Sequence, residues 1–234
     1  MCIIAYLPAG KTVTEKEIEN MYGSNKDWFG ISIRVEDKLI VQKWMIDLAG
    51  IKNILLWEMA VNNEVVAHFR LATDGTVNKL NCHPFILDED IRKIQKSWGI
   101  KDSPVLHHNG IFSEFKTTFN SSHSDTVEFI SKFFHKVSDM DQKVIEKFLG
   151  WNKLVLHSPE WVKIYNEKSG VWDGERWFSN NGFKTYSTYR AKPWSTWSYK
   201  GWWEDYDDGY YASSYKDTIR KAAKKAAPIE TKIL

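Results

Sequence analysis

Cys2-Ile3-Ile4-Ala5-Tyr6-Leu7 opens the chain as an apolar run, and Pro8-Ala9-Gly10 stops it. A short apolar run bounded by turn residues reads as a buried strand, here beginning at the second residue. Working outward, Thr14 with Glu17 three residues on forms a capping box ahead of Ile18, Met21 and Tyr22, which predicts a short helix. Trp28 to Val35 and Leu39 to Trp44 read as two strands turning at Glu36-Asp37-Lys38, and Val65 to Arg70 as another. Val105 to Phe112 contains a shorter strand.

Helical spacing takes over at Val127, Ile130, Phe133, Phe134 and Val137, with Ser124 as N-cap, and a second helix is expected from Asp141 to Leu149. Strand-like pieces return at Leu154 to Leu156, Trp161 to Tyr165 and Arg176 to Phe178. Strands, then helices, then strands fit an α+β layered domain better than alternating βαβ units. Tyr186 to Tyr215 holds eleven Trp and Tyr in an irregular context, and Ser213 to Ala227 reads as a basic terminal helix. The expected organisation is therefore a domain over 2–183 followed by an aromatic-rich appendage over 184–234.

With 234 residues the chain can bury a full core. Its 32 basic and 30 acidic residues leave a formal charge of +2, so nucleic acid is not an expected partner. No apolar run reaches the roughly 20 residues of a membrane span, and no secretory signal is evident. Two cysteines exclude a disulfide scaffold, and a soluble cytoplasmic protein is expected. Of 34 aromatic residues, 18 lie after Gly150, which argues against a disordered tail.

Cys2 carries the chemistry. With Met1 removed, as initiator processing commonly does before a small residue, one residue holds both a thiol and a free α-amine. That amine has an ordinary pKa of about 7.7–8.0 and can act as a base near neutrality without a histidine. The competing reading is a small buried hydrophobe, and position alone favours it.

The segments His68-Phe69-Arg70-Leu71-Ala72-Thr73-Asp74-Gly75, Asn81-Cys82-His83-Pro84-Phe85, His108-Asn109-Gly110-Ile111 and Ser124-Asp125-Thr126 shift that balance. Together with Met1-Cys2-Ile3-Ile4 they resemble, in this order, the motifs of class II glutamine amidotransferases, the N-terminal nucleophile hydrolase family. Asn25, Asp27 and Gly30 also resemble a loop preceding a strand in that family, and the likeness is strongest over 2–130. It implies a four-layer αββα sandwich of two stacked antiparallel sheets flanked by helices.

It also implies roles. Cys2 attacks the glutamine carboxamide and forms a thioester, and the Asn109 side-chain amide and the Gly110 N–H form the oxyanion hole. Arg70 holds the substrate carboxylate, Thr73 adds a hydroxyl, and Asp125 pairs with the substrate ammonium. No metal or cofactor is expected, and the histidines are read as core or turn residues rather than ligands. The family's A-T-H-G reads Ala72-Thr73-Asp74-Gly75 here, so an acceptor carboxylate stands where relatives carry a histidine donor.

No P-loop or dinucleotide fingerprint accompanies these motifs, so ammonia is expected to pass to a separate partner protein or substrate. Short stand-alone relatives of this look occur among tailed-phage proteins, which makes amino-modified nucleotides a conceivable product and a host cytoplasm a conceivable location. The alternative is a catalytically altered scaffold that binds a protein partner through its aromatic C-terminal region.

Overall fold

A computed structural model describes residues 2–45, 47–72, 77–115 and 121–185. The expected aromatic appendage and basic terminal helix, from residue 186 on, lie outside the described residues, as do Met1, Thr73 and Asp74.

In chain order the elements are β1 (Ile3–Leu7), α1 (Glu15–Ser24), β2 (Phe29–Val35), β3 (Lys38–Met45), α2 (Leu48–Leu55), α3 (Glu58–Asn62) and β4 (Val65–Phe69). There follow β5 (Phe85–Ile86), α4 (Ile91–Gln95), β6 (Gly99–Lys101), β7 (Val105–Asn109), α5 (Asp125–Phe129), α6 (His135–Val137) and α7 (Gln142–Leu149). The last are β8 (Lys153–His157), β9 (Val162–Tyr165), β10 (Val171–Asp173) and β11 (Arg176–Phe178). Seven strands form one antiparallel sheet in the order β10-β11-β1-β4-β2-β3-β6, and four form a second in the order β5-β7-β8-β9.

The opening run is the strand its pattern predicts, and it is an interior one. β1 pairs with β4 over Ile3–Leu7 and with β11 at Ala5 and Tyr6. The capping box also forms: Glu17 N–H donates to Thr14 Oγ1 at 3.2 Å and Thr14 N–H to Glu17 Oε2 at 2.7 Å. Ser124 stands at the N-cap of α5 but makes no capping bond. Asp125 Oδ1 takes the Thr126 N–H at 2.7 Å instead, so the first turn is served from one residue further on. The helical run after Asp125 changes to a π-turn over Ile130–Phe134 before α6.

Alternation assigns the two faces of the smaller sheet. Leu106, Leu154 and Leu156 turn to a cluster with Ile94, Phe129, Ile130, Phe134 and Leu149, which seats the helices on that face. Val155 turns the other way, to Ile4 and Val66 of the larger sheet, and Val105 packs with Leu39 and Val41. Between the sheets, however, the contact is partly polar. Ser32 Oγ on β2 bonds His107 Nε2 at 2.9 Å and His157 Nδ1 at 2.8 Å, both on the facing sheet. The His68 ring stacks on His83 with centroids 4.2 Å apart.

His68, His83, His107, His108 and His157 are all buried, and burial pushes each imidazole below its ordinary range. Such rings are neutral in the fold, whereas in the unfolded chain they become charged below about pH 6.5. Protonation therefore favours unfolding. The stability is complete above about pH 6.5 and falls as the pH drops toward the folded-state values. Urea titrations at pH 7.5 and 5.5 should show a loss of several kcal/mol, since each ring contributes up to about 1.4 kcal/mol per pH unit. Unchanged stability over that interval would contradict neutral buried imidazoles.

Candidate active site

Four of the residues singled out in the sequence, Cys2, Arg70, Gly110 and Asp125, line one cleft. Its empty volume is about 290 Å³, open to solvent, and Leu71 is also among the residues that line it. Those residues come from the chain entering β1, the chain leaving β4, the chain leaving β7 and the start of α5, so the sheet topology itself assembles the site.

Cys2 precedes the first residue of β1 and is partly exposed. Its Sγ accepts the Leu71 N–H at 3.3 Å and lies 3.5 Å from the Leu71 carbonyl oxygen. Burial pushes the thiol up, while the Leu71 contact and the Arg70 charge pull it down. The net direction is upward, so the resting thiol keeps its proton.

Arg70 is 3% exposed, its Nη1 has no hydrogen-bond partner, and among the described residues no carboxylate pairs with it. A buried guanidinium without an anion carries a desolvation cost of several kcal/mol, which an anionic ligand would relieve. The chain around it is held by the loop before β2. Asp27 N–H donates to Arg70 O at 3.0 Å, Asp27 Oδ2 accepts the Ala72 N–H at 2.9 Å, and Arg70 N–H donates to Trp28 O at 3.0 Å. Trp28 has a φ of 84°, uncommon for a bulky residue, so this loop is strained where it grips Arg70.

Asp125 is also buried. Its Oδ2 accepts the Phe112 N–H at 2.7 Å, and Oδ1 accepts the Thr126 N–H at 2.7 Å and lies 3.3 Å from Thr126 Oγ1. These bonds fix the carboxylate, and two of its four lone-pair positions stay open to further donors, because the Thr126 hydroxyl proton is given to His108.

Asn109 ends β7, buried at 1% exposure, and lies under the cleft rather than among its lining residues. Its Nδ2 donates to Ser179 Oγ at 2.7 Å. Gly110 is required by close approach: a Cβ there would sit 1.9 Å from Asn152 Oδ1 and 2.9 Å from His108 Nε2. Asn152 Nδ2 donates to Leu149 O, which turns Oδ1 to His108 Nε2 at 3.0 Å. Nε2 therefore carries the proton, and Nδ1 accepts from Thr126 Oγ1 at 2.7 Å. His108 is thus a neutral strut between α5 and the floor under Gly110.

Three groups escaped sequence reading: Ser179, Asn180 and Asn152. Asn180 Nδ2 donates to Cys2 O at 2.8 Å across 178 residues, a bond with no local signature. His83 lines the cleft with both ring nitrogens unpartnered, and Cys82 is buried with its thiol pushed up by burial. Among the described residues no group of three or more His, Cys, Asp or Glu side chains is placed to hold a metal ion, and no helix is long and apolar enough to cross a membrane.

No protein-family model matches the chain, and no curated protein does. Among solved structures, the chain is similar to glutamine phosphoribosylpyrophosphate amidotransferase from B. subtilis, determined in complex with ADP and GMP. Identity is 12% and the TM-score 0.42, over 76% of this chain and 41% of that one. This chain therefore spans about two fifths of that protein's length.

Gly110→Ala forces Asn152 aside and breaks the His108 strut. Overpacking of this kind costs about 1–3 kcal/mol. Thermal melting of the variant should register that loss, and a wild-type melting temperature would show that the floor yields freely.

Proposed function

We propose that the protein is a glutamine-hydrolysing amidotransferase with Cys2 as N-terminal nucleophile. One observation carries the reading: the Cys2 thiol shares a cleft with a fixed Asp125 and a buried Arg70 that no carboxylate among the described residues pairs. A free amino acid has a carboxylate and an ammonium on one carbon, and one cation with one anion is the charge pattern that selects it. The sequence motifs around these residues support the same reading.

Chemically, Cys2 Sγ bonds to the carboxamide carbon while its own α-amine takes the thiol proton. Charge develops on the carboxamide oxygen, where the Asn109 amide and the Gly110 N–H are the expected donors. The proton then passes to the departing nitrogen, the C–N bond breaks, and ammonia leaves a thioester. Water hydrolyses the thioester to glutamate and restores the thiol. Ammonia goes to a separate acceptor protein or substrate.

Arg70 binds ground state and transition state alike, so Arg70→Ala should raise KM for glutamine about 10–100-fold, the worth of a charge-assisted pair. Asn109→Ala should instead lower kcat about 10²–10³-fold. The deciding assay measures glutamate and ammonia from protein whose N-terminus is verified as Cys2, beside Cys2→Ala. Turnover abolished by the substitution is expected. A retained Met1, or no hydrolysis together with no labelling of Cys2 by a glutamine-analogue electrophile, would sink the proposal.

A further inference from the structure

The nucleophile strand and the side chain of Asn109 meet at one hydroxyl. Ile4 donates its N–H to Ser179 Oγ at 2.9 Å and accepts the Ser179 N–H at 2.9 Å. Asn109 Nδ2 donates to the same Oγ at 2.7 Å. Next along the chain, Asn180 ties down the Cys2 carbonyl oxygen at 2.8 Å. Ser179 is fully buried, just past the end of β11, so this junction is shielded from water.

The protons at the junction do not balance. A serine hydroxyl has one proton and two lone pairs. Two N–H groups occupy both lone pairs, and the hydroxyl proton finds no acceptor among the described residues. At the same time Asn109 Oδ1 is buried with no partner. A half-turn of the Asn109 amide gives the hydroxyl proton and Oδ1 to each other, and leaves the buried amide N–H groups without a partner among the described residues. Oδ1 then accepts the Ser179 hydroxyl proton, Ile4 N–H keeps its place on Oγ, and both amide N–H groups take the side Oδ1 had occupied.

We propose that Ser179 is a positioning residue that sets this orientation: by donating to Oδ1 it reserves the amide N–H groups of Asn109 for the carboxamide oxygen that gains charge during attack by Cys2. The inference rests on the glutaminase reading above. No bond to Ser179 forms or breaks in the reaction. Its hydroxyl decides which end of a neighbouring amide faces the chemistry.

The test uses the full chain with Cys2 verified as its N-terminus. Ser179→Thr and Ser179→Val present the same shape and differ in the hydroxyl. Both variants are checked by thermal melting, so their comparison survives even where Ser179→Ala fails to fold. The expected result is a kcat for Ser179→Val about 10–100-fold below that of Ser179→Thr, with KM within about 3-fold. Alkylation of Cys2 by iodoacetamide needs no oxyanion donor and should proceed equally in both.

Combining Ser179→Val with Asn109→Ala should leave kcat no lower than Asn109→Ala alone, because one residue acts through the other. Equal kcat in the Thr and Val variants overturns the proposal, and so do losses that multiply in the double variant. Loss of Cys2 alkylation in step with kcat overturns it too, since Ser179 would then be placing the strand. If the wild-type chain hydrolyses no glutamine, the underlying reading fails as well. If it does and the Ser179 variants match it, only this inference fails.

Discussion

The hydrogen bonding of β1 on both of its edges is the constraint on which the site depends. A chain terminus ordinarily frays, because half of its backbone groups have only water for partners. Here Ile3 to Leu7 pairs with β4 on one side, and β11 pairs at Ala5 and Tyr6 on the other. Ser179 and Asn180 extend the second edge back to Ile4 and Cys2. The backbone that carries the Cys2 sulfur is thereby fixed at the rim of an open cleft. Pairing of this kind fixes where the Cys2 side chain stands relative to the residues across the cleft.

Around that fixed point the charges are arranged by cost. Among the described residues Arg70 is buried without an anion, and Asp125 is buried with hydrogen bonds but no cation. They are not spent on each other as an ion pair, so each stays available to a ligand across the cleft. The rigid features nearby follow the same logic. Asp27 and a strained Trp28 hold the Arg70 backbone, and His108 braces Asp125's helix through Thr126. Backbone strain of this sort costs of order 1–3 kcal/mol and persists only where its surroundings over-determine it.

What could be read in the sequence was what is local or periodic. The opening run, the Thr14–Glu17 box and the β2–β3 hairpin are each specified within about ten residues, by period and turn chemistry. Cys2, Arg70, Gly110 and Asp125 were legible as members of ordered motifs, and the fold brings them to one cleft. Ser179 was not, because its partners lie 70 and 175 residues away and Ser-Asn after Phe178 reads as an ordinary loop. Asn152 was hidden for the same reason, since its role exists only once Gly110 and His108 are folded against it. The short β6 strand likewise forms by pairing with β3, far earlier in the chain, rather than from a pattern of its own.

The histidines between the sheets connect the stability of the core to the electrostatics of the cleft. An apolar filling of the same volume would satisfy the fold without unpaired ring nitrogens. The rings are neutral because they are buried, and His68 and His83 feel the Arg70 charge as a further push in that direction. The influence is reciprocal. Rings that stay uncharged add no second cation beside Arg70, so its field is neither duplicated nor misdirected at the point where an anionic group would dock. If His83 on the cleft wall were protonated, its charge would give an anion a second place to bind, displaced from Arg70. A core that resists protonation therefore keeps positive charge on that wall of the cleft at Arg70 while it holds the fold.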